Sequence, residues 1–229
     1  MRQPSPTTIA LIGRGNIGAE VAQGLSRLPA YDLVGILGRD ARTLPPAHIT
    51  IDTAGPDALR RFGPSALANG ELWTVGAAAL IDHGFRDALL QTARETGHSL
   101  RLFTGWISGP SLCPPDLPAR LYIRQSAPRL ADRPGKIFTG PLAEAASRFP
   151  NHLNTAMAAA LHGPGIGATR VTLISVPGGG PHRIAARFVM PGQTIRSEVR
   201  FDRPGPHPVA SSILAALFRR ADPLQIGLG

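Results

Sequence analysis

Cys113 is the chain's one cysteine, so no intrachain disulfide can form, which suits a reducing compartment. It lies in a proline-rich, loop-like stretch, Pro110–Pro115, and reads as an incidental thiol. Aromatic residues are only 5% of the 229, and they are not interleaved with basic ones. A surface that stacks nucleic-acid bases needs both together, so nucleic acid is not expected as a partner. No apolar run nears the roughly 18–20 residues of a membrane span. The N-terminus also lacks the charged segment, apolar stretch and small-residue cleavage site of a secretory signal. A cytoplasmic protein with no membrane attachment is expected, and no metal site is anticipated. Acidic residues are outnumbered 15 to 24 by lysine plus arginine, for a formal net charge of +9. Arginine far outnumbers lysine and is scattered, forming only the short doublets Arg60-Arg61 and Arg219-Arg220. That balance fits small anionic partners, either phosphate-bearing cofactors or acidic substrates.

The hydrophobic fraction of 43% is enough for a sizeable core, and the length allows one large domain or two small ones of about 100–200 residues. Thr7–Ile12 is a short β-branched and apolar run that reads as a buried strand. Gly13-Arg14-Gly15-Asn16-Ile17-Gly18 follows at once, and Ala19–Leu25 then carries apolar residues at helical spacing until Pro29. Asp32–Leu37 reads as a second strand, completing a βαβ unit of about thirty residues. The alternation continues with strands at 48–54, 72–76 and 100–104 and helices at 56–68 and 82–96. Gly97 is placed as the C-cap of the last. Such alternation predicts a parallel sheet with helices on both faces.

After Gly105 the texture changes. Residues 110–118 and 128–134 are proline-rich loops. A strand at 120–124 and helices at 141–148 and 154–162 are expected. Strands at 170–176, 182–190 and 194–201 follow, joined by short glycine-rich connections, and are expected to pair as antiparallel neighbours. The predicted fold is α/β: a Rossmann dinucleotide-binding domain at 1–105, then an α+β catalytic and dimerisation domain with a mixed or antiparallel sheet at 106–207. The terminal helix, within 208–229, is left open to pack back on the first domain.

The glycine triplet follows a strand, opens a helix and begins a βαβ unit, the context that makes it a dinucleotide fingerprint. Gly13 permits the tight turn, Gly15 clears the approach to a pyrophosphate, and Gly18 lets helix and strand pack closely. The helix N-terminus offers N–H groups and partial positive charge to the phosphates. At the end of the second strand, where NAD enzymes place an acid on the ribose hydroxyls, the chain has Gly38-Arg39-Asp40. A small residue followed by a guanidinium suits a 2′-phosphate, so NADP is expected, with NAD possible. The alternative leaves Arg39 in water and Asp40 at the ribose.

Several segments then resemble one family, the L-aspartate dehydrogenases, along nearly the whole chain. Thr74–Asp82 is similar to the family's "SVGALAD" and contains Gly76. Thr104-Gly105-Trp106-Ile107-Ser108-Gly109 stands where the family has "SGAIAG". The match of Phe149–Ala156 to "FPxNxNVA" is the most specific, and Pro181-His182-Arg183-Ile184 matches "NxHxI". The resemblance implies reversible, nicotinamide-dependent oxidation of L-aspartate, with an imine that hydrolyses to oxaloacetate and ammonia or is passed on. It implies His182 as the catalytic residue, Trp106 and Asn154 as cofactor contacts, and a homodimer formed through the second domain; Gly76 is a further candidate cofactor contact. Imidazole chemistry agrees, because it titrates near neutrality and can serve amine deprotonation and imine hydration. Asn154 could equally cap the helix it precedes.

The departures from the family cluster around the substrate. Trp106 replaces a small alanine, His152 replaces the first asparagine of the pair, and the lysine of "NPKTS" is gone, leaving His207 and Ser211 near that segment. Thr104, His152, His207 and Ser211 are therefore the candidate substrate contacts, for a small anionic amino or oxo acid. Three functional readings follow. One is an NADP-dependent amino-acid dehydrogenase or imine reductase with aspartate as leading substrate. The second is the same enzyme acting on another small amino, imino or oxo acid. The third is a non-catalytic dinucleotide-binding sensor.

Overall fold

A computed structural model describes residues 5–222 and 224, except 106, 108, 110–116, 129, 179 and 203–204. The chain forms two compact units, Met1–Phe103 with Val209–Gln225, and Thr104–Pro208.

The first unit is a five-stranded, wholly parallel sheet. Its strands are β1 (Thr7–Ile12), β2 (Tyr31–Leu37), β3 (Ile49–Asp52), β4 (Glu71–Thr74) and β5 (Leu100–Leu102), in spatial order β2-β1-β3-β4-β5. The strand order reverses between β1 and β3. Crossovers on the two sides of that point lie on opposite sheet faces, which leaves a crevice at the carboxyl ends of the strands. Burial on both faces explains why β1 and β3 read as nearly unbroken apolar runs, with Ile9, Ala10, Leu11, Ile49 and Ile51 fully buried. On one face α1 (Asn16–Leu25) packs Val21 and Leu25 into a cluster with Trp73 and Phe103. The terminal helix α6 (Pro208–Ala221) adds Val209, Ala210, Ile213 and Leu217 to the same cluster. The hydroxyl of Tyr31 donates to the Leu217 carbonyl at 2.7 Å, and Arg220 pairs with Glu71 at 2.7 Å. The remaining helices of this unit are α2 (Pro56–Asn69) and α3 (His83–Thr96). Asp82 caps α3 by accepting from the Phe85 N–H at 3.0 Å, and Gly97 closes it in the left-handed conformation. A short 3₁₀ turn at Ala77–Ile81, absent from the sequence reading, joins β4 to α3.

The second unit holds a mixed sheet in the order β10-β9-β6-β8-β7. Its strands are β6 (Arg120–Pro128), β7 (Gly135–Pro141), β8 (Thr169–Val176), β9 (His182–Met190) and β10 (Gln193–Phe201), with helices α4 (Leu142–Arg148) and α5 (Asn154–His162). Period-2 alternation buries Leu121, Ile123, Gln125 and Ala127 of β6 and Thr169, Val171, Leu173 and Ser175 of β8. The other face carries Tyr122, Arg124, Arg170, Arg187, Arg196 and Glu198 around an open depression.

Two details differ from the sequence expectation. The strands at 170–176 and 182–190 run antiparallel but are not neighbours, because β6 lies between them, parallel to β8 and antiparallel to β9. Two strand spacings are only about 10 Å, which the five-residue connection at 177–181 spans easily. β7 falls in a stretch, 135–140, to which the sequence pattern assigns no element, between the 128–134 loop and the helix expected from 141. It is an edge strand with an irregular register between Lys136 and Phe138, and an edge tolerates Pro141 without a ladder N–H.

Candidate active site

At the end of β1 the chain turns through Gly13 with φ +109°, a conformation side chains rarely adopt. A Cβ at Gly18 would lie 2.1 Å from the Gly13 carbonyl oxygen, so the helix can approach the turn this closely only with glycine there. Around Gly15 there is open space out to 4 Å. Gly15 is also the N-cap of α1, with no side-chain cap and no acidic residue in the first turn. Asn16 and Ile17 form that first turn. A helix start of this kind, facing open space, is the arrangement that suits an anion. Thr53 braces the turn, its hydroxyl and its N–H both meeting the Ile12 carbonyl at 2.8 Å.

Next to the turn lies a buried carboxylate that the sequence reading missed. Asp52 Oδ1 accepts from the N–H groups of Ala54 (2.8 Å) and Gly55 (3.3 Å), and Oδ2 accepts from the Thr74 hydroxyl at 2.6 Å. That hydroxyl in turn accepts from the Gly76 N–H at 2.8 Å. Burial pushes the Asp52 carboxyl up to about 6, against the lowering effect of those three donors. Asp52 thus ties together the loops that follow β3 and β4, and it fixes Gly76, where a Cβ would lie 2.7 Å from the Gly55 carbonyl. The available signal was a lone acid ending an apolar strand at the carboxyl edge of a parallel sheet.

Gly38 and Arg39 follow β2 and continue from its end. Arg39 is exposed, and its carbonyl accepts from Arg61 Nη1 at 3.2 Å. The Arg14 side chain reaches the same corner, donating to the Ile36 carbonyl at 3.0 Å.

In the second unit His182 opens β9. Its Nε2 is buried with no hydrogen-bond partner. The ring stacks obliquely on Phe201 at 4.9 Å, and Phe201 meets His207 at 4.9 Å. Burial lowers the His182 imidazole to about 4, with His207 and then His152 adding electrostatic opposition to its protonation. The neutral ring is therefore the resting form at pH 7, below the near-neutral titration expected from sequence. His152, His182 and His207 are thus brought together from a loop, a strand and the segment before α6. Among the described residues no group of three or more His, Cys, Asp or Glu side chains could hold a metal ion.

Asn154 is the first residue of α5 rather than its cap. Leu153 holds the cap position, without a side-chain bond. The Thr104 hydroxyl donates to the Ile107 carbonyl at 3.3 Å. Ser211 lies on α6, in the first unit. Trp106 and Cys113 are outside the described residues. No helix among the described residues is long and apolar enough to cross a membrane.

A family profile described as "Aspartate dehydrogenase, C-terminal" matches residues 116–219. The chain is similar to the L-aspartate dehydrogenase of Ruegeria pomeroyi, with 32% identity over 93% of this chain and 92% of that one. It is also similar to L-aspartate dehydrogenase 2 of Bordetella pertussis, with 29% identity over 96% and 98%. The crystal structure of aspartate dehydrogenase from Thermotoga maritima shares the fold at a TM-score of 0.78 and 19% identity, covering 97% of this chain and all of that one.

Proposed function

Since the chain belongs to the L-aspartate dehydrogenase family, we propose that it oxidises a small amino acid reversibly to the imine, with NADPH as the favoured reduced cofactor and His182 as acid–base. The observation that carries this reading is the buried, partnerless Nε2 of a neutral His182. A buried polar atom without a partner costs stability unless something else meets it, and a substrate amine or water fits.

The residues of the first unit fit a dinucleotide. The Gly13–Gly18 turn and the uncapped start of α1 suit the pyrophosphate. Gly76, held by Thr74 and Asp52 where the loop packs against Gly55, is assigned to the cofactor, and exposed Arg39, just after β2, is assigned to a 2′-phosphate. The nicotinamide, when bound, supplies the hydride acceptor. Hydride can leave the substrate carbon only once its nitrogen lone pair is available. His182 Nε2 takes a proton from the substrate ammonium, and carbon and nitrogen then become doubly bonded as hydride departs. Once that first proton has passed to solvent, the same nitrogen takes a proton from the water that adds to the imine carbon and returns it to the substrate nitrogen, which leaves as ammonia. An imidazole of pKa about 4 is a weak base, and a bound substrate carboxylate raises it.

Asn154 is assigned to the cofactor, and Thr104, His152, His207 and Ser211 to the substrate. The arrangement around His182 favours a substrate other than aspartate. Histidines stand near His182, the lysine of the family's "NPKTS" segment is missing from the sequence, and in the sequence Trp106 stands where the family has a small residue. A less acidic or flatter oxo or imino acid is then the better substrate. Fluorescence titration with NADPH, followed by a screen of oxo acids with ammonia, tests the proposal. Oxidation of NADPH with one of them is expected, and cofactor binding with no turnover of any would leave a sensor instead. The chain is further proposed to form a homodimer through its second unit, so a monomer mass by light scattering at micromolar concentration would refute that part.

A further inference from the structure

Arg14 does something that its place in the glycine turn did not announce. Its side chain runs sideways from the turn after β1 to the end of β2, where Nη2 donates to the Ile36 carbonyl at 3.0 Å. A Cβ at Gly38 would lie 3.7 Å from Arg14 Nε, 3.8 Å from Cδ and 3.9 Å from Cζ. The guanidinium therefore lies along the position where a carboxylate at the end of β2 would accept from ribose hydroxyls. Behind it, Arg61 of α2 donates to the Arg39 carbonyl at 3.2 Å while its guanidinium rests 4.8 Å from the Phe62 ring. Phe62 is itself buried with Ile12 and Leu37. Three arginines from three elements thus converge on one backbone corner. Of the nearby acids, Asp57 is taken by Arg60 at 3.1 Å, and Asp40 adjoins Arg39 in sequence.

We infer that Arg14 is the principal selector of the cofactor's adenosine end, receiving a phosphate ester on the 2′-hydroxyl over the gap left by Gly38. Arg61 is a positioning residue for the Arg39 backbone. This rests on the dinucleotide reading above and deepens it. Of Arg14's five N–H donors, one bond to Ile36 fixes the plane of the group and leaves the others to an anion. An arginine already held in place loses less freedom on binding than Arg39, which is anchored through its carbonyl. Gly38 matters because any larger residue would stand between the guanidinium and the ribose.

The test is calorimetric titration of the full chain with adenosine 2′,5′-bisphosphate and with adenosine 5′-monophosphate. The parent should prefer the bisphosphate by about ten-fold or more, the usual worth of a charge-assisted contact. Arg14→Ala should lose most of that preference and keep its monophosphate affinity, and Arg14→Lys should retain only part of it, because it keeps charge but not the planar fork. Arg39→Ala should lose less than Arg14→Ala. Gly38→Asp is sterically ordinary, with no backbone strain and no Cβ contact under 3.7 Å, and should turn the preference toward the monophosphate. If Arg14→Ala does not fold, Gly38→Asp and Arg14→Lys carry the test. Full preference retained by Arg14→Ala, or by Arg14→Lys and Gly38→Asp together, overturns the assignment. A parent that binds both probes equally also overturns it while leaving the dinucleotide reading intact, and a parent that binds neither removes both.

Discussion

The two units solve the problem of placing chemistry in opposite ways. In the first, most of the groups proposed to meet a ligand are backbone, namely a glycine turn, an uncapped helix start and two loops tied by Asp52, with arginine side chains only at the corner after β2. In the second, they are side chains, with His152, His182 and His207 delivered by three separate segments. Backbone chemistry is local and leaves a spacing in the sequence. Side-chain chemistry assembled from distant segments leaves none. The first unit should therefore fail through geometry when altered, and the second through loss of a functional group.

The largest expected effect belongs to the second unit. His182→Ala should lower turnover by about 10²–10⁴-fold with NADPH affinity unchanged, measured by steady-state rates beside fluorescence titration. A variant that loses cofactor affinity instead would place His182 on the wrong side of the comparison. Gly18→Ala is its counterpart in the first unit. The added Cβ would meet the Gly13 carbonyl at 2.1 Å, so the turn must shift. A stability loss of about 2–4 kcal/mol is expected in urea unfolding, together with loss of cofactor binding.

Acid should separate the two units without any mutation. The folded pKa of Asp52 is raised from 3.8 to about 6, so its contribution to stability is fully present below 3.8 and is lost as pH rises through 6. The folded pKa of His182 is lowered from 6.5 to about 4, so its contribution is present above 6.5 and is lost as pH falls through 4. Between pH 6 and 4 the first unit gains while the second loses. Hydrogen exchange across that window should show protection rising around β3 and β4 and falling around β9. Asp52→Asn should flatten the first trend, a change of about 2–3 kcal/mol. Equal loss in both units would contradict the opposed titrations. The smallest effect is expected at Trp106, where substitution by alanine should raise aspartate activity relative to the preferred substrate by less than about a hundred-fold. A parent that already turns over aspartate as a dedicated enzyme would leave no altered pocket to explain.

This contrast also sets what was legible in the sequence. The parallel sheet, its helices and the phosphate turn were readable because continuous apolar strands, glycine spacing and the Asp82 and Gly97 caps are local signals. The mixed second sheet was readable as a class, but not its order. Nothing in a run of residues says that β6 will slip between β8 and β9, and proline at an edge strand looks the same as proline in a loop. His182 was legible only through its surrounding motif. Its low pKa was not, because burial and the proximity of His207 and His152 are properties of the folded unit. Asp52 was passed over for a similar reason, since a strand-terminal acid looks like any solvated turn residue until its three donors are in place. Arg14 was named for its position in the turn, whereas its direction toward β2 depends on the unoccupied side of Gly38.

The last helix also has a consequence in time. Ile213 and Leu217 of α6 are part of the core that β1 and α1 begin two hundred residues earlier. A ribosome making this chain releases the whole second unit before the first has its final layer. The glycine turn therefore waits, on a sheet face that α1 covers only in part, until α6 is made and supplies the missing apolar stripe. The β1–α1 segment is made before the second unit yet secured after it, and a nascent chain stalled before α6 would hold a nearly finished second unit and an unfinished first.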